Sequence, residues 1–491
     1  MMNNNRYYQK CITFGRAAEG LRADFQEQLK EMQAEIGFEY VRFHGIFHDD
    51  MAIYSETEDG KPMLWFGYLD KLFDFLLEQG LKPMLELGFV PTKLATVPDT
   101  IFWWHANGCP PIDYEKWGFM LKGMLEHMAD RYGLAEMKNW YFEVWNEPNL
   151  TSFWRGTQEE YFRLYETSVH VIKSFCKELK VGGPSTSGAD FREDLAYLKD
   201  FIRFCSSKNL PVDFFSAHPY PTYWPLDTAG NKQMGYMGKD ICAAFFSNIK
   251  NIVRCSAYPD AEIHLTEWNS SPSPRDLVHD TLFAASFILY NITQNFGKID
   301  SLGYWAFTDI FEENGPGTQP FHGGFGLINS DGIKKSSYWA YWFLSLLGDE
   351  IIEITDKYII TRQEENYQII VWNYCYYTEA FAQGNRSRLS PASYNEVFHN
   401  KLESILLTIN LSGEYKQTLY ILDEYTSALQ NWINIGAPQY MTPAQVKLLK
   451  NQSRPSEIVT VISEFKLNID LKPHEVRMFI LSKNSAQDFA V

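Results

Sequence analysis

Between residues 11 and about 345, short apolar runs alternate with longer amphipathic segments, and this alternation limits the possible folds more than any other feature of the chain. In the first amphipathic segment, Leu29, Met32 and Ile36 recur at helical spacing. Strict alternation of strands and helices predicts parallel strands joined by right-handed crossovers. Eight repeats fit a closed (β/α)8 barrel, the TIM barrel, better than an open doubly wound sheet.

The same pattern gives the expected bounds of the elements. Predicted strands cover residues 11–14, 40–44, 82–87, 140–145, 180–183, 213–218, 262–267 and 301–307. Predicted helices cover residues 23–36, 69–79, 116–131, 160–175, 193–205, 239–254, 278–295 and 338–347. Glycine, which commonly terminates helices, follows four of them: Gly37, Gly80, Gly133 and Gly297.

After Gly348 apolar residues recur at every second position between polar turns, which predicts a β-sandwich of about 145 residues. Its predicted strands cover residues 351–354, 358–361, 368–372, 404–411, 417–422, 458–462, 465–471 and 476–481. We therefore expect a barrel domain over 11–345 and a sandwich domain over 346–491, which residues 1–10 are candidates to join. The sandwich shows no cluster of convergent polar residues, so we expect a packing or assembly role for it.

Charge and composition exclude several classes of partner. The formal net charge is −17, and there is no block of five basic residues, so neither nucleic acid nor a membrane surface is an expected partner. No stretch of 18 apolar residues occurs, and the first ten residues lack the apolar run of a signal peptide. Seven scattered cysteines without a CxxC pair are typical of a cytoplasmic protein with reduced thiols.

Motifs for cofactors and metals do not stand out in the sequence. No GxGxxG or Walker loop follows a predicted strand, which weakens a nucleotide-binding interpretation. His44 and His218 together could be metal ligands, but no HxH or HExxH spacing supports that interpretation. The sequence therefore predicts a protein that needs neither a cofactor nor a metal.

Polar and aromatic residues are concentrated at the ends of the predicted strands. In a barrel of this kind, functional groups lie where strands end and βα loops begin. A single Glu or His at such a place is usually a surface or core residue, but chance would scatter the set instead of concentrating it. The strand ends hold Arg42 and His44 (second), Asn146 and Glu147 (fourth), His218 and Tyr220 (sixth), Glu267 (seventh), and Trp305 with Glu312 and Glu313 beyond it (eighth).

Glu147 and Glu267 are the pair of residues that indicates a catalytic function. Two carboxyl groups facing each other across a barrel mouth are the minimal equipment for cleaving a glycosidic bond. One must arrive protonated to protonate the leaving oxygen, and the other must be ionised to attack the anomeric carbon. Environments that hold one pKa up and the other down separate these roles. We expect Arg42, with hydrogen bonds from Tyr220 or His218, to keep Glu267 ionised.

Several segments of the sequence resemble a known enzyme family. FEVWNEPN (142–149) and HLTEWN (264–269) resemble the acid/base and nucleophile motifs of clan A glycoside hydrolases. The order of the other blocks is that of glycoside hydrolase family 39, and of its β-xylosidases in particular. Those blocks are YVRFHGIFHDDMAIY (40–54), PMLELGFVPTKLA (83–95), HPYPT (218–222), LGYWAFTDIFEE (302–313) and FHGGFGL (321–327). The resemblance covers residues 11 to about 345 and is weaker over the sandwich.

The resemblance implies a retaining enzyme that releases terminal xylose from the non-reducing end of short xylo-oligosaccharides, with Glu147 as acid/base and Glu267 as nucleophile. Asn146 is implied to bind the 2-hydroxyl of the sugar. Members of the family often form tetramers, so a homo-oligomer, tetramer or dimer, is expected, with a role in xylan degradation. The groups implied to surround the xylose are Arg42, His44, His218, Tyr220, Trp305 and Glu313, with Phe102 or Trp103 as a wall.

Three alternatives stay open at this point. The same family includes α-L-iduronidases, but these need cationic groups for a uronate, whereas the eighth strand here leads to Glu312 and Glu313. One hydroxymethyl group is a weak discriminant between sugars, so a β-galactosidase or an α-L-arabinofuranosidase is an alternative. A non-catalytic sugar-binding barrel is another, although such proteins commonly lose one of the two carboxylates.

Overall fold

The computed structural model describes residues 2–226 and 231–483. Eight parallel strands close into a barrel in which each strand pairs with its neighbours in sequence, and the eighth pairs with the first. The predicted (β/α)8 fold is therefore confirmed. The strands are β1 (Cys11–Arg16), β2 (Tyr40–His44), β3 (Lys82–Glu86), β4 (Tyr141–Glu143), β5 (Lys180–Thr186), β6 (Phe214–Ala217), β7 (Glu262–Trp268) and β8 (Ser301–Tyr304).

Helices alternate with the strands of the barrel. They are α1 (Ala23–Glu35), α2 (Gly67–Glu78), α3 (Tyr114–Tyr132), α4 (Gln158–Phe175), α5 (Ala196–Ser207), α6 (Ile241–Arg254), α7 (Leu282–Thr293) and α8 (Ser336–Ser345). The side chain of Asp113 caps α3, and Thr157 with Glu160 forms a capping box at α4. The four predicted terminator glycines all have positive φ. Across the described ranges, no helix has the length and apolar character needed to cross a bilayer.

The filling of the barrel changes from apolar to charged toward the carboxyl ends of the strands. Near the strand starts, an apolar layer closes the interior, and it consists of Cys11, Tyr40, Met84, Tyr141 and Phe214. Toward the opposite end the side chains of Arg42, Glu86 and Glu143 are completely buried. Buried charges are tolerated only when they are paired, so this upper layer must be an organised polar network.

A second body of antiparallel sheet follows the barrel and forms the sandwich. The strands are β9 (Glu350–Ile354), β10 (Tyr358–Gln363), β11 (Asn366–Trp372), β12 (Glu403–Ile409), β13 (Tyr415–Leu422), β14 (Ser456–Ile462), β15 (Phe465–Leu471) and β16 (Val476–Lys483). The large sheet has the order Met2–Asn3, β9, β10, β11, β16, β13, β14, and a two-stranded sheet of β12 and β15 accompanies it. Ile369 and Val371 of the large sheet share an apolar cluster with Leu407 and Leu467 of the small one.

The connections of the sandwich contain helices that the alternating pattern did not predict. They are Glu379–Ala382, Ala428–Asn434 and Pro443–Gln452. The last begins at a capping box of Thr442 and Gln445 with Pro443 in its first turn, a start signal that is visible in the sequence. The part of the expected sandwich domain beyond residue 483 lies outside the described residues, and the domain bounds at 345 and 346 stay predictions.

One connection of the sandwich lies against the barrel loop that follows β7. Arg386 donates hydrogen bonds to Asp276 and to the hydroxyl of Tyr236, with distances of 2.9 and 2.8 Å. Asp276 is completely buried and also accepts a hydrogen bond from Ser271 at 2.6 Å. The second domain thus supplies the cation for a buried carboxylate in a loop that leads away from Glu267.

Candidate active site

The ends of β4 and β7 bring Glu147 and Glu267 together at the mouth of the barrel. A carboxylate oxygen of each lies within 4.8 Å of the other, and a ring nitrogen of His218 lies within the same distance of both. Both carboxyl groups are almost completely buried. The two acidic residues singled out from the sequence therefore face each other at close range.

The backbone after β4 leaves the extended conformation in order to present Glu147. Trp145 and Glu147 have φ angles of 75° and 46°, a left-handed conformation that non-glycine residues seldom adopt. The amide of Glu147 donates to the carbonyl of Ser185 at 2.9 Å, and Tyr161 donates to the carbonyl of Val144 at 3.0 Å. Such strain persists only where the surroundings hold it, and it is concentrated at functional sites.

Arg42 lies beneath the two carboxyl groups and joins several strand ends. Its Nε donates to Glu143 at 2.6 Å, Nη1 donates to Glu267 at 2.8 Å, and Nη2 donates to Asn146 at 2.8 Å. Nη2 also lies 3.0 Å from Glu86 Oε2. A single guanidinium thus serves three buried carboxyl groups and fixes the orientation of the Asn146 amide.

His218 and Tyr220, which follow β6, contact different members of the carboxyl pair. Nδ1 of His218 is 2.8 Å from Glu147 Oε1 and 3.6 Å from Glu267 Oε2, while its Nε2 faces Ser185 Oγ at 2.9 Å. Tyr220 donates its hydroxyl to Glu267 Oε2 at 3.0 Å. Of the two groups expected to support Glu267, Tyr220 does so directly, whereas His218 bonds mainly to Glu147.

The two carboxyl groups lie in different electrostatic surroundings. Burial raises the pKa of Glu147 well above its usual range, and the charge of Glu267 raises it further. Burial also raises the pKa of Glu267, but the charge of Arg42 and the hydrogen bonds from Arg42 and the hydroxyl of Tyr220 oppose that rise. When the pair shares one proton, Glu147 therefore holds it.

His44 is a neutral imidazole that lies among the carboxyl groups of Glu86, Glu267 and Glu313. Burial lowers its pKa to about 3, and its Nδ1 is hydrogen bonded to Glu86, whose pKa burial raises to about 8. Its Nε2 lies 3.5 Å from Glu267 and 3.6 Å from Glu313. Burial and the charge of Glu267 raise the pKa of Glu313 well above normal, so its carboxyl group can donate a hydrogen bond as well as accept one.

A cavity of about 230 Å³ opens in front of these groups. Its lining includes seven of the residues predicted from the sequence: His44, Asn146, Glu147, Tyr220, Glu267, Trp305 and Glu313. Arg42 and His218 are completely buried and lie behind this lining, so they act through the residues that they contact.

Three residues expected at the periphery of the site lie outside the cavity lining. Phe102 stacks against His44 with ring centroids 6.1 Å apart and lies behind the histidine, outside the cavity lining. Trp103 is more than half exposed, and its amide bonds to the carbonyl of Glu313. Glu312 bonds to Arg16 at 2.7 Å and to Arg22 at 2.9 Å, so its charge is compensated outside the cavity.

Sequence reasoning missed residues of two kinds. Glu86 and Glu143 end β3 and β4, and their position on inward-facing strand ends is a signal that could have found them. Arg192 and Trp224 line the cavity from the loops after β5 and β6, together with Phe153 from the loop after β4. Loop residues of this kind have no fixed spacing from a strand end, so periodicity does not reveal them.

The spacing of Glu147, His218 and Glu267 also fits a metal ion. The other contacts of these atoms favour a different interpretation, because Arg42 already places a positive charge on Glu267 at 2.8 Å. Neutral His218, whose pKa burial lowers well below normal, bonds directly to Glu147. The prediction of a metal-free site therefore rests on this hydrogen-bond network and on the absence of a ligand motif in the sequence.

Comparison with known proteins shows the same architecture in characterised enzymes. A β-xylosidase from Caldicellulosiruptor saccharolyticus is 36% identical over 96% of this chain and 94% of its own length. A β-xylosidase from Geobacillus stearothermophilus is 32% identical over 96% and 90%, respectively. The crystal structure of a monomeric β-xylosidase from Caulobacter crescentus CB15 superimposes with a TM-score of 0.89 at 31% identity, covering 99% of this chain and 98% of that one.

A barrel with paired carboxyl groups at its mouth, and relatives of this kind over its whole length, define a glycoside hydrolase. The family model described as glycosyl hydrolases family 39 matches residues 2–466. The chain belongs to glycosyl hydrolase family 39, as the resemblance read from its strand-end motifs predicts.

Proposed function

We propose that this protein is a retaining exo-β-xylosidase that releases β-xylose from the non-reducing end of short xylo-oligosaccharides. The observation that carries the proposal is the approach of Glu147 and Glu267 oxygens to within 4.8 Å. Retaining glycosidases hold their two carboxyl groups about 5–5.5 Å apart, whereas inverting enzymes leave about 6.5–9.5 Å for a water molecule. Direct attack on the anomeric carbon fits the shorter separation.

In the first step, Glu267 attacks the anomeric carbon while the bond to the leaving oxygen breaks. The proton of Glu147 passes to that oxygen, and the sugar becomes an α-linked ester of Glu267. Esterification removes the charge of Glu267, so the pKa of Glu147 falls. In the second step, Glu147 takes a proton from water, whose oxygen displaces Glu267 and restores the β configuration.

The substrate class follows from the cavity and from the relatives. A cavity of about 230 Å³ with Trp305 and Glu313 in its lining has room for a terminal sugar and the start of the leaving residue but not for an extended chain, which supports exo action. The relatives from Caldicellulosiruptor saccharolyticus and Geobacillus stearothermophilus, each matched over 96% of this chain, are named β-xylosidases. A uronate at this position would bring a second negative charge close to the ionised Glu267, and two carboxylates at close range repel each other.

Substitution of Glu267 tests the role of the nucleophile. Glu267→Gly should abolish hydrolysis of xylobiose, and added azide should restore turnover of an activated aryl β-xyloside as α-xylosyl azide. NMR of the wild-type reaction should show β-xylose as the first product. An inverted first product would refute the retaining mechanism.

Substitution of Glu147 tests the role of the acid/base. Glu147→Ala should keep bond cleavage for aryl xylosides with good leaving groups, because these need no proton, and should lose activity on xylobiose. Azide should then yield β-xylosyl azide. Equal losses on both substrates would contradict the assignment.

A panel of nitrophenyl glycosides separates the neighbouring specificities. The proposal predicts the highest kcat/KM for the β-xyloside. A higher value for the β-galactoside or the α-L-arabinofuranoside would establish the alternative neutral exo-glycosidase. Binding of xylose without turnover of any substrate would indicate a sugar-binding protein instead.

We further propose that the protein is cytoplasmic and forms a homo-oligomer, dimer or tetramer. All seven cysteines are free, which supports a reducing compartment. Strand β14 is an edge strand with Ile458, Val459 and Val461 about half exposed, and such edges are usually covered by another chain or by protective charges. Light scattering tests the assembly, since the Caulobacter relative is described as monomeric.

A further inference from the structure

Arg192 lines the active-site cavity without taking part in the network around the two carboxyl groups. It ends the short helix Gly188–Arg192, which follows β5. The charges that shift the pKa values of Glu147 and Glu267 come from other residues, Arg42 foremost among the cations. The pKa shifts of Glu147 and Glu267 therefore do not explain why the guanidinium of Arg192 lines the cavity.

The guanidinium of Arg192 is anchored on one side and open on the other. Its Nη1 donates to the carbonyl of Thr222 at 2.8 Å and to that of Gly188 at 3.4 Å. Over residues 2–226 and 231–483, no carboxylate forms an ion pair with it, and Nε and Nη2 make no hydrogen bond in the same ranges. Arg192 is an exposed residue, and partial burial of its guanidinium lowers the pKa of Arg192 while the charge of Glu193 opposes that change.

Arg192 is fixed in position relative to the acid/base residue. Asn149, two residues after Glu147, donates from its amide to Ser187 Oγ at 3.0 Å and accepts from the amide of Ser187 at 2.9 Å. Ser187 caps the helix that ends in Arg192. Two hydrogen bonds and one short helix therefore connect the loop that carries Glu147 to the guanidinium.

The leaving group must lie on the side of the cavity that is formed by the loops after β4 and β5. Glu147 protonates the leaving oxygen, so the rest of the leaving saccharide extends past the loops that hold Glu147 and its neighbours. Arg192 and Trp224 line the cavity from the adjacent loops. Trp224 offers an aromatic face for a sugar ring, and it lies two residues after Thr222, whose carbonyl anchors the guanidinium of Arg192.

We propose that Arg192 binds a carboxylate carried by the leaving-group saccharide, so that the preferred substrates are xylo-oligosaccharides with a uronate substituent next to the scissile bond. Guanidinium and carboxylate match in geometry, and their charge-assisted hydrogen bonds are about twice as strong as neutral ones. The inference rests on the proposed function but assigns the uronate to the leaving side, away from Glu313.

A matched pair of substrates tests the contact. One is a xylobiose that bears a uronic acid on its reducing-end xylose, and the other is its carboxamide, which has the same size without the charge. Wild-type kcat/KM should be about tenfold higher for the acid, as expected for a hydrogen bond to a charged group. In Arg192→Gln this ratio should fall close to one, and Arg192→Lys should keep part of it.

Control measurements separate this contact from other effects. Arg203→Gln, on the outer face of α5 with its side chain 73% exposed, should leave the acid-to-amide ratio unchanged. An acid-to-amide ratio near one in the wild type would overturn the inference, and so would equal losses on both substrates in Arg192→Gln, which would indicate a purely positioning role between two loops.

Calorimetry with the same pair on Glu267→Ala measures binding without turnover. Tighter binding of the acid that depends on Arg192 would support the contact even if the reaction were not the one proposed. Equal affinities would refute it. Failure of the wild type to hydrolyse the amide and a plain aryl xyloside would count against the proposed function alone.

Discussion

At the scale of single residues, the unequal surroundings of Glu147 and Glu267 determine the pH dependence of the enzyme. The pKa of Glu147 is raised by burial and by Glu267, and in the proposed mechanism the protonated form of Glu147 is the acid. Activity on xylobiose should therefore fall as the pH rises through that pKa. In Glu147→Ala, the alkaline limb of kcat/KM should disappear for an activated aryl xyloside. An alkaline limb that persisted would have to belong to another group.

The hydroxyl of Tyr220 should control the acid limb. Its hydrogen bond to Glu267 opposes the rise in pKa caused by burial. In Tyr220→Phe the pKa of Glu267 should rise, so the acid limb of kcat/KM should move to higher pH. We expect a loss of about 10- to 100-fold at the optimum, the usual value of a hydrogen bond to a charged group. An unchanged acid limb would show that Glu267 is ionised without this contact.

At the scale of elements, most bounds were predictable because they follow from local rules. Strand β2 was predicted to the residue, and the glycine after α1 has the positive φ that its position demands. The spacing of apolar residues indicates which face of a strand or helix is buried, and this spacing can be read from each segment alone. The ends of parallel strands then placed Glu147 and Glu267 at one mouth.

Other features depend on contacts between distant segments and have no local signal. The partner of His218 is one example, because its choice of Glu147 over Glu267 depends on how β4, β6 and β7 pack. Arg192 is another, since its place in the cavity wall depends on the hydrogen bonds between Asn149 and Ser187 and on its own bond to the carbonyl of Thr222. The position of Phe102 behind His44 depends on the packing of a long loop.

Gly118, inside α3, and Gly133, directly after α3, allow a matched test of helix energetics. A Cβ at Gly118 would lie in ordinary contact, 3.4 Å from Val171, so Gly118→Ala should stabilise the protein by about 0.5–1 kcal/mol. Gly133 ends the helix with a φ of 82°, so Gly133→Ala should cost about 1–3 kcal/mol. Denaturant midpoints should shift in opposite directions, and a shift of equal sign would contradict the geometry.

At the scale of the whole molecule, the sandwich supports the loop that follows Glu267. Arg386→Met would leave Asp276 buried without its cation, which should cost about 3–5 kcal/mol. Unfolding midpoints measure this loss, and kcat/KM should fall as well because the same loop carries Pro272 of the cavity lining. Adding Asp276→Asn should recover part of the stability, because a neutral amide needs no cation.

The stability that is lost in Arg386→Met should depend on pH in one direction. Burial alone would raise the pKa of Asp276, but Arg386, the largest opposing influence, helps to hold this pKa below its usual value. The stability that ionised Asp276 contributes is therefore present above its pKa in the unfolded chain, and it is lost as the pH falls through its pKa in the folded protein. The difference in midpoint between Arg386→Met and the wild type should therefore narrow in acid. A difference that did not depend on pH would indicate lost packing.

The guanidinium of Arg42 has a consequence for how the site tolerates change. Because it touches acidic residues from β3, β4 and β7 at once, the energetic effect of replacing any one of them depends on whether the others are intact. Substitutions at these positions should be strongly non-additive. The stabilities of these buried acidic residues are therefore coupled to one another. We expect substrate specificity to change more readily through substitutions in the outer loops than through substitutions next to Arg42.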